Sequence, residues 1–109
     1  MEANQNIYTG KFDNTDWYQV WLNGKPFDHL PSLKVANHSP DGFSWGYNGS
    51  GPAQFALGVL LLETDQETAK KNYMNFKDQI IGNPSCLPVH GSFTLTSEDV
   101  QDWLDNNGC

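Results

Sequence analysis

The chain contains no arginine, and all six of its basic residues are lysines. Thirteen acidic residues outweigh them and leave a formal net charge of −7 at pH 7. Nucleic-acid-binding proteins neutralise phosphates with basic side chains and rely on arginine in particular to read base edges. The composition therefore argues against direct binding of DNA or RNA, whereas an acidic surface favours solubility and basic partners.

Cysteines and long apolar stretches are also scarce. Cys86 and Cys109 show neither a CxxC spacing nor histidines at zinc-ligand spacing, so we expect two reduced thiols. The longest apolar run, residues 55–62, is far too short to cross a bilayer. The first residues, MEANQN, contain neither the basic nor the apolar region of a signal peptide. We therefore predict a cytoplasmic protein without membrane association.

Groups that could carry catalysis are few. The three histidines, His29, His38 and His90, are scattered and lie beside turn residues. No set of acid, base and nucleophile is visible, and no three ligands recur at metal-binding spacing. We predict no metal, no cofactor and no enzymatic activity.

The apolar pattern predicts one α+β domain over residues 1–109, a length that suits a single core. Strands are predicted at 7–12, 17–22, 33–37 and 43–47, and around Phe93 and Leu95. Helices are predicted from Ser50 or Gly51 to residue 62, from a capping box at 64–67 to residue 82, and from a second capping box at 96–99. We expect a small antiparallel sheet with two or three helices packed on one face. Asn23-Gly24 should form a tight turn, and Pro26 should place the following segment at the edge of the sheet.

Residues 45–54 join an aromatic segment to the first long helix through a run of glycines. Gly49 and Gly51 allow consecutive N–H groups to point to one side, and Pro52 suits the first turn of a helix. A helix N-terminus of this kind attracts phosphates and carboxylates, and an aromatic face beside it suits a nucleobase. Two interpretations stay open: a tight strand-to-helix corner with a plain cap, and an anion site. The predicted ligand-binding residues are Trp45, Tyr47, Asn48, Gly49, Ser50, Gly51 and Gln54.

Residues 45–54, with the sequence WGYNGSGPAQ, resemble the signature of an uncharacterised family of small domains from bacteria and bacteriophages. The wider layout is similar too. It begins with Tyr8 and Gly10 and continues with a turn at residues 41–43. One helix then contains residues 73–76, and a last helix starts at residues 95–96 and reaches residue 103. The resemblance implies a bacterial or phage source, and small acidic phage proteins are often counter-defence proteins.

The sequence therefore predicts a cytoplasmic binder rather than an enzyme. The first hypothesis is a phage counter-defence protein that sequesters an anionic, nucleotide-like signal molecule, such as a cyclic nucleotide. The alternative is an inhibitor that binds a host defence protein through an acidic and aromatic surface, to which the last helix contributes Glu98, Asp99, Asp102 and Asp105. An enzyme acting on a nucleotide is the second alternative. We also predict a homo-oligomer, because a small domain has few walls with which to enclose a ligand.

Overall fold

The computed structural model describes residues 5–12, 18–39, 42–87 and 91–106. Four strands form one antiparallel sheet in the order β3-β2-β1-β4, so the last strand of the chain pairs with the first. The strands are β1 (Ile7–Phe12), β2 (Gln19–Leu22), β3 (Lys25–Pro26) and β4 (Gly91–Thr96). The helices are α1 (Leu30–Leu33), α2 (Ser50–Glu63), α3 (Gln66–Phe76), which continues into a π-helical turn (Lys77–Ile81), and α4 (Ser97–Asn106). The predicted α+β fold with an antiparallel sheet is confirmed.

One face of the sheet packs on the core, as the alternation along β1 and β4 requires. Tyr8 lies opposite Leu95 and Gly10 opposite Phe93, and all four residues are buried. A Cβ atom at Gly10 would lie 2.2 Å from the Phe93 ring, so only glycine lets that ring cross the strand. The predicted turn at Asn23-Gly24 and the edge position of the Pro26 strand are both present in the structure.

The centre of the molecule is α2, in which ten consecutive residues, 51–60, are buried. Phe55 packs against the sheet through Phe93, at a ring distance of 5.8 Å, and the helix also contacts α1 and α3. A helix that is apolar on all sides is expected to be enclosed on all sides, and residues 51–60 of α2 meet this rule.

A carboxylate holds the C-terminal end of α2 to the sheet. Glu63 Oε2 accepts hydrogen bonds from Tyr8 OH at 2.7 Å, from Asn6 Nδ2 at 2.9 Å and from Ser97 Oγ at 2.9 Å. Burial, and next the hydrogen bond to Glu63, raise the pKa of the Tyr8 hydroxyl far above its usual range. The carboxylate thus links α2 to both β1 and the start of α4.

Two predicted strands are wrong. Leu33 is the last residue of the short helix α1, which has Pro31 in its first turn, and residues 34–37 form a turn and irregular chain rather than a strand. Residues 43–47 form an irregular segment in which Phe43, Ser44 and Trp45 are all buried, so their alternation does not mark one buried face. In a segment that is buried on both sides, the order of apolar residues follows the packing on each side rather than a period of two residues.

The predicted capping box is confirmed at the start of α4, whereas the cap of α3 lies one residue later than predicted. Thr96 N donates to Asp99 Oδ2 at 3.0 Å, and Asp99 N donates to Thr96 Oγ1 at 3.2 Å, which is the reciprocal pattern of a capping box. In α3 the cap is Asp65, whose Oδ1 accepts from Thr68 N at 2.8 Å, whereas Thr64 belongs to the end of α2. Both residue types are good caps, and the geometry of the turn between the two helices decides between them.

The expectation of two reduced thiols is wrong for Cys86, which is disulfide-bonded. Cys109 lies outside the described residues. The spacing of cysteines along a sequence does not report their distance in a fold, so this bond could not be predicted from the pattern alone.

Candidate functional site

The corner predicted to bind a ligand runs from the irregular segment 42–49 into α2. Gly46 has a φ of +83°, and Gly49 is the extended residue that precedes the helix. No side chain caps this helix end, and Ser50 is exposed. Because Pro52 has no N–H, the free amides of the first turn belong to Ser50 and Gly51.

Trp45 lies entirely inside the core. Its ring meets Tyr18 and Phe93 edge to face, at centroid distances of 5.0 Å and 4.8 Å. It therefore offers no face to a ligand in this structure. The stacking role that the sequence assigns to Trp45, to Tyr47 or to both is left to Tyr47 alone.

Tyr47 is 39% exposed and lies beside the start of α2. Its hydroxyl shares a 2.7 Å hydrogen bond with Ser44 Oγ. A Cβ atom at Gly49 would lie 2.7 Å from the Tyr47 ring, and one at Gly51 would lie 1.9 Å from Ser44 Oγ. Packing alone therefore requires both glycines, whether or not the corner also binds an anion.

Gln54 is a fully buried structural residue. Its Oε1 accepts from the backbone N–H groups of His38 at 2.7 Å and Ser39 at 3.0 Å. Its Nε2 donates to Ser32 Oγ at 2.8 Å and to the carbonyl of Ala36 at 3.0 Å. An amide has about four hydrogen-bonding positions, and here all are occupied, so Gln54 holds the 36–39 segment and does not reach a ligand.

At the corner, Asn48 contacts a positively charged side chain, that of Lys77. Its Oδ1 accepts a 2.7 Å hydrogen bond from Lys77 Nζ, which also forms a 2.8 Å ion pair with Asp78. Lys77 is only 6% exposed and comes from the π-helical turn after α3. Sequence reasoning missed it, although its position four residues after Tyr73 places both side chains on the same face of that helix.

An aromatic cavity of about 350 Å³ lies between the sheet and segment 42–43. It adjoins the corner, because the ring of Tyr18, which lines it, lies 6.2 Å from the ring of Tyr47. The cavity is lined by Tyr18, Gln19, Val20, Trp21, Pro26, Phe27, His29, Gly42 and Phe43.

The walls of this aromatic cavity combine flat apolar faces with a few polar groups. The rings of Phe27 and Phe43 lie 4.9 Å apart, and the ring of His29 meets Phe43 edge to face at 5.9 Å. Partial burial, and next the neighbouring Tyr47, raise the pKa of the Tyr18 hydroxyl, which therefore stays protonated at neutral pH. Sequence reasoning missed the cavity because its walls come from three separate segments. The sequence feature that could have indicated the cavity is the high density of aromatic residues between residues 17 and 29.

The four carboxylates predicted to form an acidic face, Glu98, Asp99, Asp102 and Asp105, are all exposed on α4. Asp99 caps the helix, and Asp105 Oδ1 accepts from Gln101 Nε2 at 3.1 Å. The negative charges of Glu98 and Asp99 also interact favourably with the positive N-terminus of the helix. A role of this face in binding a partner stays a prediction.

Within the described ranges, no group of three or more His, Cys, Asp or Glu side chains is arranged to hold a metal ion. No helix in the same part of the chain is long and apolar enough to span a membrane.

Residues 8–106 match the model of a family of unknown function, DUF6166. The match covers most of the chain, so the protein belongs to this family, and the predicted resemblance to an uncharacterised domain family is confirmed. No curated protein and no solved structure matches the chain.

Proposed function

We propose that this member of DUF6166 is a non-enzymatic binder that captures an anionic, nucleotide-like small molecule. The observation that carries the proposal is the aromatic cavity of about 350 Å³, whose walls combine four aromatic rings with His29 and Gln19. Small-molecule sites are typically concave, largely apolar and of about 300–1,000 Å³, with a few polar groups that orient the ligand.

The aromatic cavity is suited to the flat, base-like part of such a ligand. Trp21 and Tyr18 both line the cavity and are half-buried. Stacking of a base on an aromatic side chain is worth about 1–3 kcal/mol and requires no particular base. The hydrogen-bonding groups of Gln19 and of the protonated Tyr18 supply polar contacts at the base edge.

The corner next to the cavity supports the anionic half. The N-terminus of α2 carries the positive end of the helix dipole. Lys77 Nζ, which is paired with Asp78, lies 2.7 Å from Asn48 Oδ1 at the same corner. Tyr47 and Tyr18 connect this corner to the cavity. A base in the cavity and a phosphate at the corner would thus occupy adjoining surfaces, and Ser50 is the exposed hydroxyl beside the phosphate.

A binder is favoured over an enzyme by the chemistry of the lining. Hydrolysis or transfer needs a positioned nucleophile, acid or base. The described lining offers only one histidine and one tyrosine of this kind, and no carboxylate or thiol. We propose the host cytoplasm as the location and sequestration of a nucleotide signal during phage counter-defence as the biological role. The family resemblance implies a bacterial or phage source, and small acidic phage proteins are often counter-defence proteins.

The test is to incubate the purified protein with a panel of cyclic and linear nucleotides, follow thermal unfolding, and identify by chromatography the ligand released on denaturation. A ligand present at a hundred times its Kd adds about 2.7 kcal/mol of stability. Intact ligand after release indicates a binder, and altered ligand indicates an enzyme. If no nucleotide on the panel raises the unfolding temperature, the proposal is wrong.

A matched pair of variants locates the site. Trp21→Ala removes a stacking face from the cavity and should weaken binding by about 1–3 kcal/mol, or about 5- to 150-fold in Kd. Ile7→Ala is the control, because Ile7 is an exposed apolar residue of the same sheet that does not line the cavity. Equal affinities of the two variants would exclude the cavity.

A further inference from the structure

A second concave surface lies on the other side of Pro26 and Phe27. This hairpin groove, of about 600 Å³, is bounded by the β2–β3 hairpin, the segment that leads into α1, and the end of α2. We propose that the hairpin groove binds a second copy of the chain, so that the protein forms a two-fold symmetric dimer.

The groove and its margin are apolar and exposed. Leu62 lines the groove and is 50% exposed, and Leu30, the residue before the lining residue Pro31, is 55% exposed. These are the two most exposed large apolar side chains in the described part of the chain. Single exposed leucines are ordinary, but an exposed leucine that lines an apolar groove, such as Leu62, adds to a patch of the kind that marks an interaction site.

The charges of the groove favour a second copy as the occupant. Its described lining contains one cation, Lys25, and one anion, Asp28, and no other charged side chain. In a two-fold interface the same surface is used twice, so Lys25 of one copy can meet Asp28 of the other on both sides of the axis. A partner of uniformly positive or negative charge would match only one of these groups and would oppose the other.

Side chains rather than strand pairing should make this contact. The nearest edge strand, β3, has only two residues, and one of them is Pro26, which has no N–H to donate. Short edge strands with proline resist the addition of another strand. The dimer is therefore expected to bury Leu62 in the centre and to place the charged pairs at the rim.

The dimer can be tested apart from the proposed ligand. The hairpin groove shares Pro26 and Phe27 with the aromatic cavity, but Lys25, Asp28 and Leu62 line only the groove. Variants at these three positions leave the cavity lining unchanged. Their oligomeric state is measured without any nucleotide, so failure of this proposal would not bear on ligand binding.

The measurement is sedimentation velocity over a range of concentrations, in which the wild type should approach twice its monomer mass of 12.2 kDa. Leu62→Glu should weaken the dimer at least tenfold, because it places two carboxylates in the apolar centre. Met74→Glu is the control, since Met74 is 45% exposed on α3 and lies outside the groove. That variant should dimerise like the wild type.

Charge reversal gives the decisive result. Lys25→Glu alone and Asp28→Lys alone each bring like charges together and should both be largely monomeric. When the two variants are mixed, every contact again joins a carboxylate to an ammonium group, so a mixed dimer should form. Formation of this mixed dimer would also show that both variants are folded.

Asp28 needs one further control, because its Oδ1 accepts a 3.0 Å hydrogen bond from Leu30 N. Asp28→Asn keeps this acceptor and removes only the charge, so it should fold normally and dimerise more weakly than the wild type. A wild-type monomer at every concentration would overturn the proposal. So would charge variants whose dimerisation is unchanged alone and in the mixture.

Discussion

Replacing Gln54 should be among the most damaging single changes in the molecule, although the sequence suggested a ligand-binding role for this residue. The side chain is fully buried and makes four hydrogen bonds, two of them to the backbone N–H groups of His38 and Ser39. Gln54→Leu has nearly the same size but removes all four bonds. The 36–39 segment would then lose its attachment to α2.

The magnitude follows from the bonds lost. A buried hydrogen bond contributes about 1 kcal/mol net, and an unsatisfied partner costs about 1–3 kcal/mol. Four bonds, partly offset by the apolar side chain introduced, give a loss of about 3–4 kcal/mol in the free energy of unfolding. For a domain of this size that corresponds to a fall in Tm on the order of 15 °C.

Gln54→Glu separates the stability contributed by the hydrogen bonds that the side chain accepts from that contributed by the bonds that it donates. The carboxylate still accepts from the two backbone N–H groups but can no longer donate to Ser32 and to the Ala36 carbonyl. Burial favours the neutral form, so its pKa in the folded state should be raised. The deficit in stability should therefore shrink as the pH falls towards that pKa, because the protonated acid is neutral and can donate one bond.

Urea unfolding followed by circular dichroism measures these differences. Gln66→Leu is the control, because Gln66 is exposed at the start of α3 and its replacement should change stability by no more than about 0.5 kcal/mol. A loss below about 1 kcal/mol for Gln54→Leu would refute the reasoning. It would mean that the 36–39 segment is held by other contacts.

Three further results are expected. Gly51→Ala should destabilise by about 1–3 kcal/mol in urea unfolding, because the added Cβ would lie 1.9 Å from Ser44 Oγ, and an unchanged midpoint would contradict this packing. The backbone hydrogen bond from Thr68 lowers the pKa of Asp65 below its ordinary 3.8, so the Tm difference between wild type and Asp65→Ala should persist at neutral pH and shrink as the pH falls below about 3.8. Cys86 should resist alkylation in denatured, unreduced protein, as read by peptide mass spectrometry, and a modified Cys86 would disprove its disulfide.

Local sequence signals predicted the fold well where a few neighbouring residues determine the backbone. Asn23 and Gly24 adopt φ values of +54° and +85°, the conformation that a two-residue hairpin turn requires. Pro52 lies in the first turn of α2, and the Thr96–Asp99 capping box opens α4. In each case the physical cause lies within three or four residues of its effect.

The same signals failed where distant parts of the chain decide the outcome. Phe43 and Trp45 alternate with smaller residues as in a strand, but α2 and the sheet enclose both rings, and no strand in the described part of the chain pairs with this segment. Only the fold shows that Trp45 is core and that Lys77 lies beside Asn48. The aromatic cavity was equally hidden, because its walls come from three segments.

The proposed ligand site can be tested most directly by two-dimensional NMR of the tryptophan indole groups during titration with the nucleotides of the panel, with signals assigned from Trp→Phe variants. Trp21 lines the aromatic cavity, whereas the indole of Trp103 is buried and donates to Gln79 Oε1 at 2.8 Å. We predict that a bound nucleotide shifts the Trp21 indole and the backbone amides of Phe27 and Phe43 and leaves Trp103 unchanged. Saturable binding that leaves Trp21, Phe27 and Phe43 unmoved would contradict the account.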